Sequence, residues 1–201
     1  MTQIRGKIRQ ILDAEAAAIS AVDVSDAYET ALEALLRCTG KIVTTGIGKA
    51  GFIAQKFAAV LCSTGTPAVF IHPAEAAHGD LGLIGQGDAI IAFSTSGKTR
   101  EVLEFIELSR HLTKTVVIGI TSHPETELRR LADIVLDMGV IEEPCPLGLT
   151  PSASMAVMGA ISDALALVLM EQKGITAGDY ALRHHGGYLG HKARLENQNG
   201  D

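Results

Sequence analysis

Twice in this chain a hydrophobic run ends in a short glycine-rich turn that opens a helix. The two segments are residues 42–51 (IVTTGIGKAG) and residues 89–101 (AIIAFSTSGKTRE). A strand that leads into a helix N-terminus presents free backbone N–H groups and the positive end of the helix dipole. The second turn adds the hydroxyl groups of Ser94, Thr95, Ser96 and Thr99. Together the two turns predict a site for a phosphorylated ligand.

Composition limits the class of protein. The chain has 201 residues, of which 47% are hydrophobic and 20% charged, which is typical of one compact globular domain. A formal net charge of −6 argues against a nucleic-acid partner. Charged residues interrupt the first 15 positions, and the apolar runs are too short or too interrupted to span a bilayer. We therefore expect a soluble, cytoplasmic protein without a membrane partner.

Cys38, Cys62 and Cys145 are widely spaced and form no CxxC pair. This spacing does not favour a zinc site or a disulfide framework, so free buried thiols are the default expectation. A catalytic cysteine would need a base from elsewhere in the fold.

Hydrophobic periodicity predicts an alternation of short β-branched strands and helices after two N-terminal helices. The expected strands are residues 42–45, 68–71, 89–93, 115–120 and 134–136. The expected helices are residues 3–20, 25–38, 51–63, 99–112, 125–131, 151–172 and 176–182. This order is typical of an α/β fold, a doubly wound, flavodoxin-like sheet of five parallel strands flanked by helices.

Residues 1–195 are expected to form a single domain, on which residues 1–38 pack as helices. A loop rich in His and Gly follows residue 182, and residues 196–201 are expected to be a disordered tail. The helix over residues 151–172 is apolar around much of its circumference. Such a helix is either central to the core or packed against another subunit.

Ligands of open α/β sheets bind beyond the carboxyl ends of the strands. Four loops meet there in the predicted fold: the two glycine-rich turns and residues 72–80 and 137–146. The first turn matches the GxGxxG dinucleotide fingerprint, but the strand that follows ends at His72 without the required acid. Gly97-Lys98-Thr99 resembles the end of a phosphate-binding P-loop, whose first glycine would be Ala92, inside a strand.

A third interpretation fits residues 94–101 better, since they resemble the SxSGxTxE signature of the sugar isomerase (SIS) domain family. In that family the hydroxyls and N–H groups of the turn hold a sugar phosphate. Residues 72–82, 145–151 and 181–190 also resemble, in order, successive signatures of the arabinose-5-phosphate isomerases. The resemblance covers most of the chain from Lys41 to about Gly190.

The resemblance implies an aldose–ketose isomerase that interconverts D-arabinose 5-phosphate and D-ribulose 5-phosphate through an enediol, with no metal or other cofactor. It implies that Lys49 stabilises the enediolate, that Glu101 is the acid of the phosphate-loop helix, and that His184 opens the ring and transfers protons. It assigns the proton shuttle between C1 and C2 to Glu143, with the adjacent Glu142 as an alternative. The implied substrate-binding residues are Gly46, Gly48, Ser94, Thr95, Ser96, Thr99 and His78.

The resemblance also implies a homotetramer whose sites borrow histidines from a neighbour, and a product used for the octulosonate sugar of lipopolysaccharide. The chain departs from the family in two places. Two CBS regulatory modules usually follow this domain, and this sequence stops where they would begin. The family's His-Pro-Gly-Gly is His184-His185-Gly186-Gly187 here, which leaves the exact sugar open. The alternatives are an isomerase of another pentose or hexulose phosphate and a sugar-phosphate-binding regulator.

Overall fold

The strands form one five-stranded parallel sheet in this computed structural model, which describes residues 2–199. They are β1 (Ile42–Gly46), β2 (Ala68–Phe70), β3 (Ala89–Phe93), β4 (Val116–Thr121) and β5 (Ile134–Asp137). Their order in the sheet is β2-β1-β3-β4-β5, and every neighbouring pair is parallel. The predicted doubly wound sheet is confirmed. Its topological switch point lies between β1 and β3, where ligands of such sheets bind.

Helices cover both faces of the sheet. They are α1 (Thr2–Ser20), α2 (Asp26–Leu36), α3 (Gly48–Ser63), α4 (Pro73–Ala76), α5 (Arg100–Leu112), α6 (Glu127–Leu131), α7 (Ala153–Gln172), α8 (Ala177–Arg183) and α9 (Gly187–Asn199). A 3₁₀ helix, Asp80–Leu83, follows α4. The predicted helices agree with these bounds to within a few residues, and the short α4 and the 3₁₀ helix were not predicted.

The C-terminal segment differs from the expectation. A His- and Gly-rich loop and a disordered tail from Glu196 were predicted, but α9 extends to Asn199, and residues 200 and 201 lie outside the described part of the chain. Its glycines hide the helical pattern, although Gly190 is required by packing. A Cβ at that position would lie 2.9 Å from the carbonyl carbon of His184. Lys192 and Glu196 form an i, i+4 ion pair along the helix.

Alternating strand residues build two cores, one on each face of the sheet. Ile91 and Phe93 point to the face covered by α1, α2, α3 and α7, whereas Ile90 and Ala92 point to the face covered by α4, α5 and α6. All four side chains are fully buried. The sheet is therefore held rigidly between two helical layers, and its carboxyl edge is a fixed platform.

The apolar helix α7 packs between α1 and α3. By length and mean hydropathy (1.9) this helix alone among the described residues is apolar enough to cross a membrane, but half of its apolar window is buried inside the domain. Leu165, Ala166 and Leu169 belong to the core, and Leu167 and Val168 are exposed on its outer side. Of the two predicted roles of this helix, the central place in the core is confirmed.

Helices α3 and α7 lie side by side and run in the same direction. Lys56 of α3 pairs with Asp163 of α7, and Thr66, just after α3, accepts a hydrogen bond from Lys173, just after α7. In both pairs the two partners are 107 positions apart in the sequence, so the two helices keep the same register along their length. Their N-termini therefore lie level at the carboxyl edge of the sheet, and their C-termini lie level at the amino edge.

Candidate active site

The two glycine-rich turns lie next to each other at the switch point. Gly46, the last residue of β1, is in register with Phe93, the last residue of β3. A Cβ on Gly51 would lie 2.7 Å from the Gly46 carbonyl oxygen, so only glycine allows α3 to start this close to β1. Gly48 has a φ of +60°, which favours glycine at the first position of α3.

Local hydrogen bonds shape the second turn. The Ser94 hydroxyl lies 2.8 Å from the Thr99 hydroxyl and accepts a hydrogen bond of 3.1 Å from the Gly97 N–H. The Lys98 N–H donates to the Ser96 hydroxyl at 3.2 Å. Thr99 is the N-cap residue of α5, yet its side chain makes no capping bond. The first turn of α5 therefore keeps N–H groups that can bind an anion.

The chain from the end of β4 to helix α6 contacts this turn and holds it in place. The Ser122 N–H donates to the Thr95 carbonyl at 3.0 Å, and the Leu128 N–H donates to the Gly97 carbonyl at 3.0 Å. Gly97 has a φ of +63°, and a Cβ there would lie 2.7 Å from the Thr126 Cβ. Contacts within the chain therefore hold the turn in this conformation.

Lys49 and Glu101 occupy equivalent places, each being the second residue of the helix that follows a turn. The helix dipole favours a carboxylate in the first turn of a helix, so Glu101 stabilises α5 in addition to any part in the chemistry. The same dipole disfavours a cation, so the position of Lys49 does not serve the stability of α3. Lys49 is exposed and Glu101 is half-buried.

Glu143 lies between β5 and α7, and its carboxylate caps α7. One oxygen accepts hydrogen bonds from the N–H groups of Ser152 (2.7 Å) and Ala153 (2.9 Å), and the other accepts from the N–H (3.3 Å) and the hydroxyl of Ser154. Burial alone would raise the pKa of this carboxyl, but the four hydrogen bonds outweigh it and lower the pKa. A carboxylate accepts about four hydrogen bonds. Its acceptor capacity is therefore filled in this conformation.

Glu142, the alternative shuttle, is exposed and makes no hydrogen bond within the described chain. His78 is also exposed and follows α4, which packs against α5. Lys49, Glu101, Glu143 and His78 therefore all lie at the carboxyl edge of one chain, and most of the predicted set is brought together.

His184 lies elsewhere. Its ring stacks on Tyr180 with centroids 4.0 Å apart, and its Nδ1 is 3.1 Å from the Tyr180 carbonyl oxygen. Because a carbonyl oxygen only accepts, Nδ1 carries the proton and Nε2 is left for other chemistry.

The helix pair that carries His184 lies at the amino edge of the sheet. The Arg183 guanidinium is 3.5 Å from the place where a Gly65 Cβ would be, just beyond the C-terminus of α3. The Ile42 N–H, at the start of β1, bonds the Pro67 carbonyl close by. Helix α3 has 16 residues, which span about 24 Å at 1.5 Å per residue. His184 and Lys49 of one chain therefore lie roughly the length of α3 apart.

Three features were missed by sequence reasoning. Ser152 and Ser154 at the start of α7 donate hydrogen bonds to the capping carboxylate of Glu143, and a Ser-x-Ser at a helix start was an available signal. The Tyr180–His184 stack had a signal too, since the two residues are four positions apart on a helix.

The third missed feature is the environment of Cys145. Hydrogen bonds from the Thr150 hydroxyl and from N–H groups of the same loop lower the pKa of its thiol to about 6. The expectation of buried thiols is wrong, because Cys62 is exposed and Cys38 and Cys145 are only half-buried. Among the described residues no three His, Cys, Asp or Glu side chains cluster as a metal site would require.

The fold and this edge define a class: a doubly wound α/β domain with a hydroxyl-rich turn and a helix N-terminus at its switch point. Residues 35–168 match the SIS domain. The chain belongs to the SIS domain family.

Relatives of known name are similar over nearly the whole chain. The arabinose 5-phosphate isomerase KdsD of Yersinia pestis is 42% identical over 189 residues, which are 93% of this chain and 57% of that protein. The KdsD of Pseudomonas aeruginosa is 43% identical over 173 residues, which are 86% of this chain and 53% of that protein. The chain thus spans a little over half the length of these curated relatives.

Solved structures are also similar to this chain over most of its length. A Bacteroides fragilis protein assigned as a phosphosugar isomerase involved in capsule formation has a TM-score of 0.90 at 42% identity, covering 92% of this chain and 99% of that one. An Escherichia coli CFT073 protein, solved in complex with arabinose 5-phosphate, has a TM-score of 0.85 at 37% identity, covering 91% and 98%.

Proposed function

We propose that this protein is a sugar-phosphate aldose–ketose isomerase that interconverts D-arabinose 5-phosphate and D-ribulose 5-phosphate. The observation that carries the proposal is the internally hydrogen-bonded Ser94–Thr99 turn at the switch point, next to Lys49. The similarity to the KdsD relatives and to the structure solved with arabinose 5-phosphate supports this choice of substrate.

The chemistry needs an anchored phosphate, a base and a stabilised enediolate. The N–H groups and hydroxyls of residues 94–99 and the start of α5 would hold the phosphate. A base removes the C2 proton of the aldose, and the electrons of that bond form the C1–C2 double bond of an enediolate whose charge lies on O1. A proton then moves from O2 to O1, and the base returns its proton to C1, which gives the ketose. The Lys49 ammonium would stabilise the negative oxygen of that intermediate.

The position of the base remains part of the proposal. The resemblance assigns the C1–C2 shuttle to Glu143, whose carboxylate would have to release one of its bonds to Ser152–Ser154 before it could take a proton. Glu142 is exposed and needs no such release. Glu143→Gln and Glu142→Gln separate the two, since only replacement of the base abolishes turnover in a protein that remains folded.

We propose further that the site is completed by His184 of a neighbouring subunit in a homotetramer. His184 lies at the opposite edge of the sheet from Lys49, too far for one pentose phosphate to reach both in the same chain. Exposed apolar side chains at both edges support burial against other copies, namely those of Phe52, Leu147, Leu149, Leu182, Tyr188 and Leu189.

We also propose where in the cell the enzyme acts and which pathway it serves. A soluble, cytoplasmic enzyme fits a chain whose apolar helix α7 is a core helix. Supply of the octulosonate sugar of lipopolysaccharide is the role that the family resemblance implies.

The test follows the phosphorus NMR signal of ribulose 5-phosphate after the purified protein is mixed with D-arabinose 5-phosphate and EDTA. We expect equilibrium to be reached rapidly with the wild-type protein. Lys49→Ala and His184→Ala should abolish turnover, whereas His191→Ala, which replaces an exposed histidine on α9, should not. Binding without turnover would contradict the proposal and favour a sugar-phosphate-binding regulator.

A further inference from the structure

The first half of α1 extends beyond the body of the domain. Every residue from Gln3 to Asp13 is exposed, and partial burial begins at Ala14. The Ser152 hydroxyl, at the start of α7, donates to the Glu15 carboxylate. Farther along, Ala18 and Val22 pack against the core. Residues 3–13 therefore continue past the N-terminus of α7 as a projecting arm, here called the α1 arm.

The arm carries an apolar stripe that has no partner within the described chain. Four side chains share one face at helical spacing and are 39% to 64% exposed: Ile4, Ile8, Ile11 and Leu12. Ala18 and Val22 continue the same face where the helix meets the core. A short helix with an uncovered apolar stripe is marginal in water and gains stability from a partner surface.

A second uncovered apolar surface lies on the outer side of the domain. A groove of about 330 Å³ runs between the second half of α1, α2 and α7. Its walls are almost wholly apolar and include Ile19, Tyr28, Leu32, Ile161, Leu165 and Val168. The α1 of the same chain already forms one wall, so its arm, which points away, cannot fill the groove.

Charge makes the two surfaces complementary. Arg5 and Lys7 flank the stripe on its two sides, and the arm holds no acidic residue before Asp13. The groove side is acidic, since Glu29 lines the groove and Asp23 and Asp26 lie six and three positions before it. Within residues 2–199, neither Arg5 nor Lys7 forms an ion pair, and neither do Asp23, Asp26 and Glu29.

We propose that the α1 arm docks into the α1–α2–α7 groove of a second copy of this chain, and that the exchange is reciprocal. Apolar side chains of the arm would enter the groove while Arg5 or Lys7 meets the acidic rim around Glu29. A reciprocal exchange is a closed, two-fold interface, which buries both arms and both grooves together. The inference deepens the proposed self-assembly but does not depend on the proposed substrate.

The first test is the molar mass of the full chain by light scattering over a dilution series. Ile8→Asp places a charge in the stripe, and Gln10→Asp places the same charge on the opposite face of the arm as a control. We expect Ile8→Asp to weaken association about 1,000-fold, because the reciprocal interface loses two buried isoleucines at about 30-fold each, and Gln10→Asp to leave it unchanged. Equal effects of the two substitutions would overturn the proposal.

A charge-reversal pair covers the case in which Ile8→Asp fails to fold. Arg5→Glu together with Lys7→Glu should weaken association, and Glu29→Lys in the same chain should restore part of it, since the pairs then form in reverse. The absence of any recovery, with both variants folded, would contradict the contact of the arm with the acidic rim.

Cross-linking distinguishes a second copy from other occupants. In a chain with Ser at all three native cysteines, Ile8→Cys is mixed with a separate chain that carries Val168→Cys. A disulfide band of twice the chain mass supports the exchange. No such band, or binding of the arm to lipid vesicles that Ile8→Asp abolishes while the molar mass is unchanged, would overturn it. Because mass and cross-link are read without substrate, their outcome is independent of whether arabinose 5-phosphate is turned over.

Discussion

The two edges of the sheet differ in how far a single chain completes them. At the carboxyl edge, hydrogen bonds within one chain hold the Ser94–Thr99 turn, and Ser94 at its start is buried. At the amino edge, α8 and α9 pack on each other more than on any other element, and they carry His184. The comparison teaches that strand-to-helix geometry within one chain forms the turn proposed to bind the phosphate, whereas His184 lies at the opposite edge, from which we propose that it completes the site of a neighbouring subunit.

The largest effect on stability should come from two glycines with similar backbone angles, one at each edge. Gly97 has a φ of +63° and no room for a Cβ, whereas Gly187 has a φ of +74° and nothing within 4 Å. Gly97→Ala should lower the free energy of unfolding by about 3 kcal/mol, from strain plus overpacking, and Gly187→Ala by about 1 kcal/mol, from strain alone. Urea unfolding at one fixed protein concentration measures both. Equal losses would show that the turn is not the more rigid region.

The next largest effect on stability should come from loss of the Glu143 carboxylate that caps α7. Glu143→Gln replaces the charged acceptor at a helix N-terminus and should cost about 1–2 kcal/mol. Because the pKa of Glu143 is lowered in the folded chain, its contribution is fully present above the ordinary range of a glutamate, near pH 4.3, and is lost as pH falls through the lower folded pKa.

The difference in unfolding free energy between the wild-type protein and Glu143→Gln should therefore be constant near neutral pH and shrink below about pH 4. Glu142→Gln, at the exposed neighbour, is the control and should change stability little at any pH. A difference that grows on acidification would contradict the capping role.

Removal of either of two hydroxyl groups of the turn should have a smaller effect on stability, and the two effects should differ. Ser94→Ala removes one of the two acceptors of the Gly97 N–H and the partner of Thr99, and should cost about 1 kcal/mol and raise KM for the sugar phosphate about tenfold. Ser96→Ala removes one bond to the Lys98 N–H at a more exposed place and should do less to stability. Thermal unfolding and steady-state kinetics of both variants, compared with the wild-type protein, provide the check.

The smallest structural effect concerns the loop after Glu143. In a variant with Ser at positions 38 and 62, the rate of Cys145 alkylation by iodoacetamide should reach half of its plateau near pH 6, because hydrogen bonds stabilise its thiolate. Thr150→Val removes the hydroxyl donor and should move that midpoint upward without unfolding the protein. A midpoint that Thr150→Val leaves in place would contradict this origin of the low pKa.

The sequence alone was sufficient for the sheet and its turns. Buried β-branched runs placed all five strands to within one or two residues, and glycine spacing located both strand-to-helix turns. These features are local, since they depend on residues a few positions apart. The capping role of Glu143 was not visible, because its partners lie nine to eleven positions away across an irregular loop.

The remote place of His184 was also not visible. It follows from the direction in which α7 packs along α3, a tertiary choice that no motif encodes. Helix α9 was missed for another reason: Gly190 weakens its helical pattern but is required where the helix touches the His184 backbone.

The central claim, a site made from two edges of two chains, is tested most directly by mixing inactive subunits. Lys49→Ala and His184→Ala chains are denatured together, refolded and assayed with D-arabinose 5-phosphate. Random assembly should return activity at about a quarter of the sites, those that pair an intact Lys49 with an intact His184. A mixture of Lys49→Ala with Glu101→Ala, both at the same edge, should stay inactive. If the first mixture also stays inactive although mixed tetramers form, the shared site is contradicted.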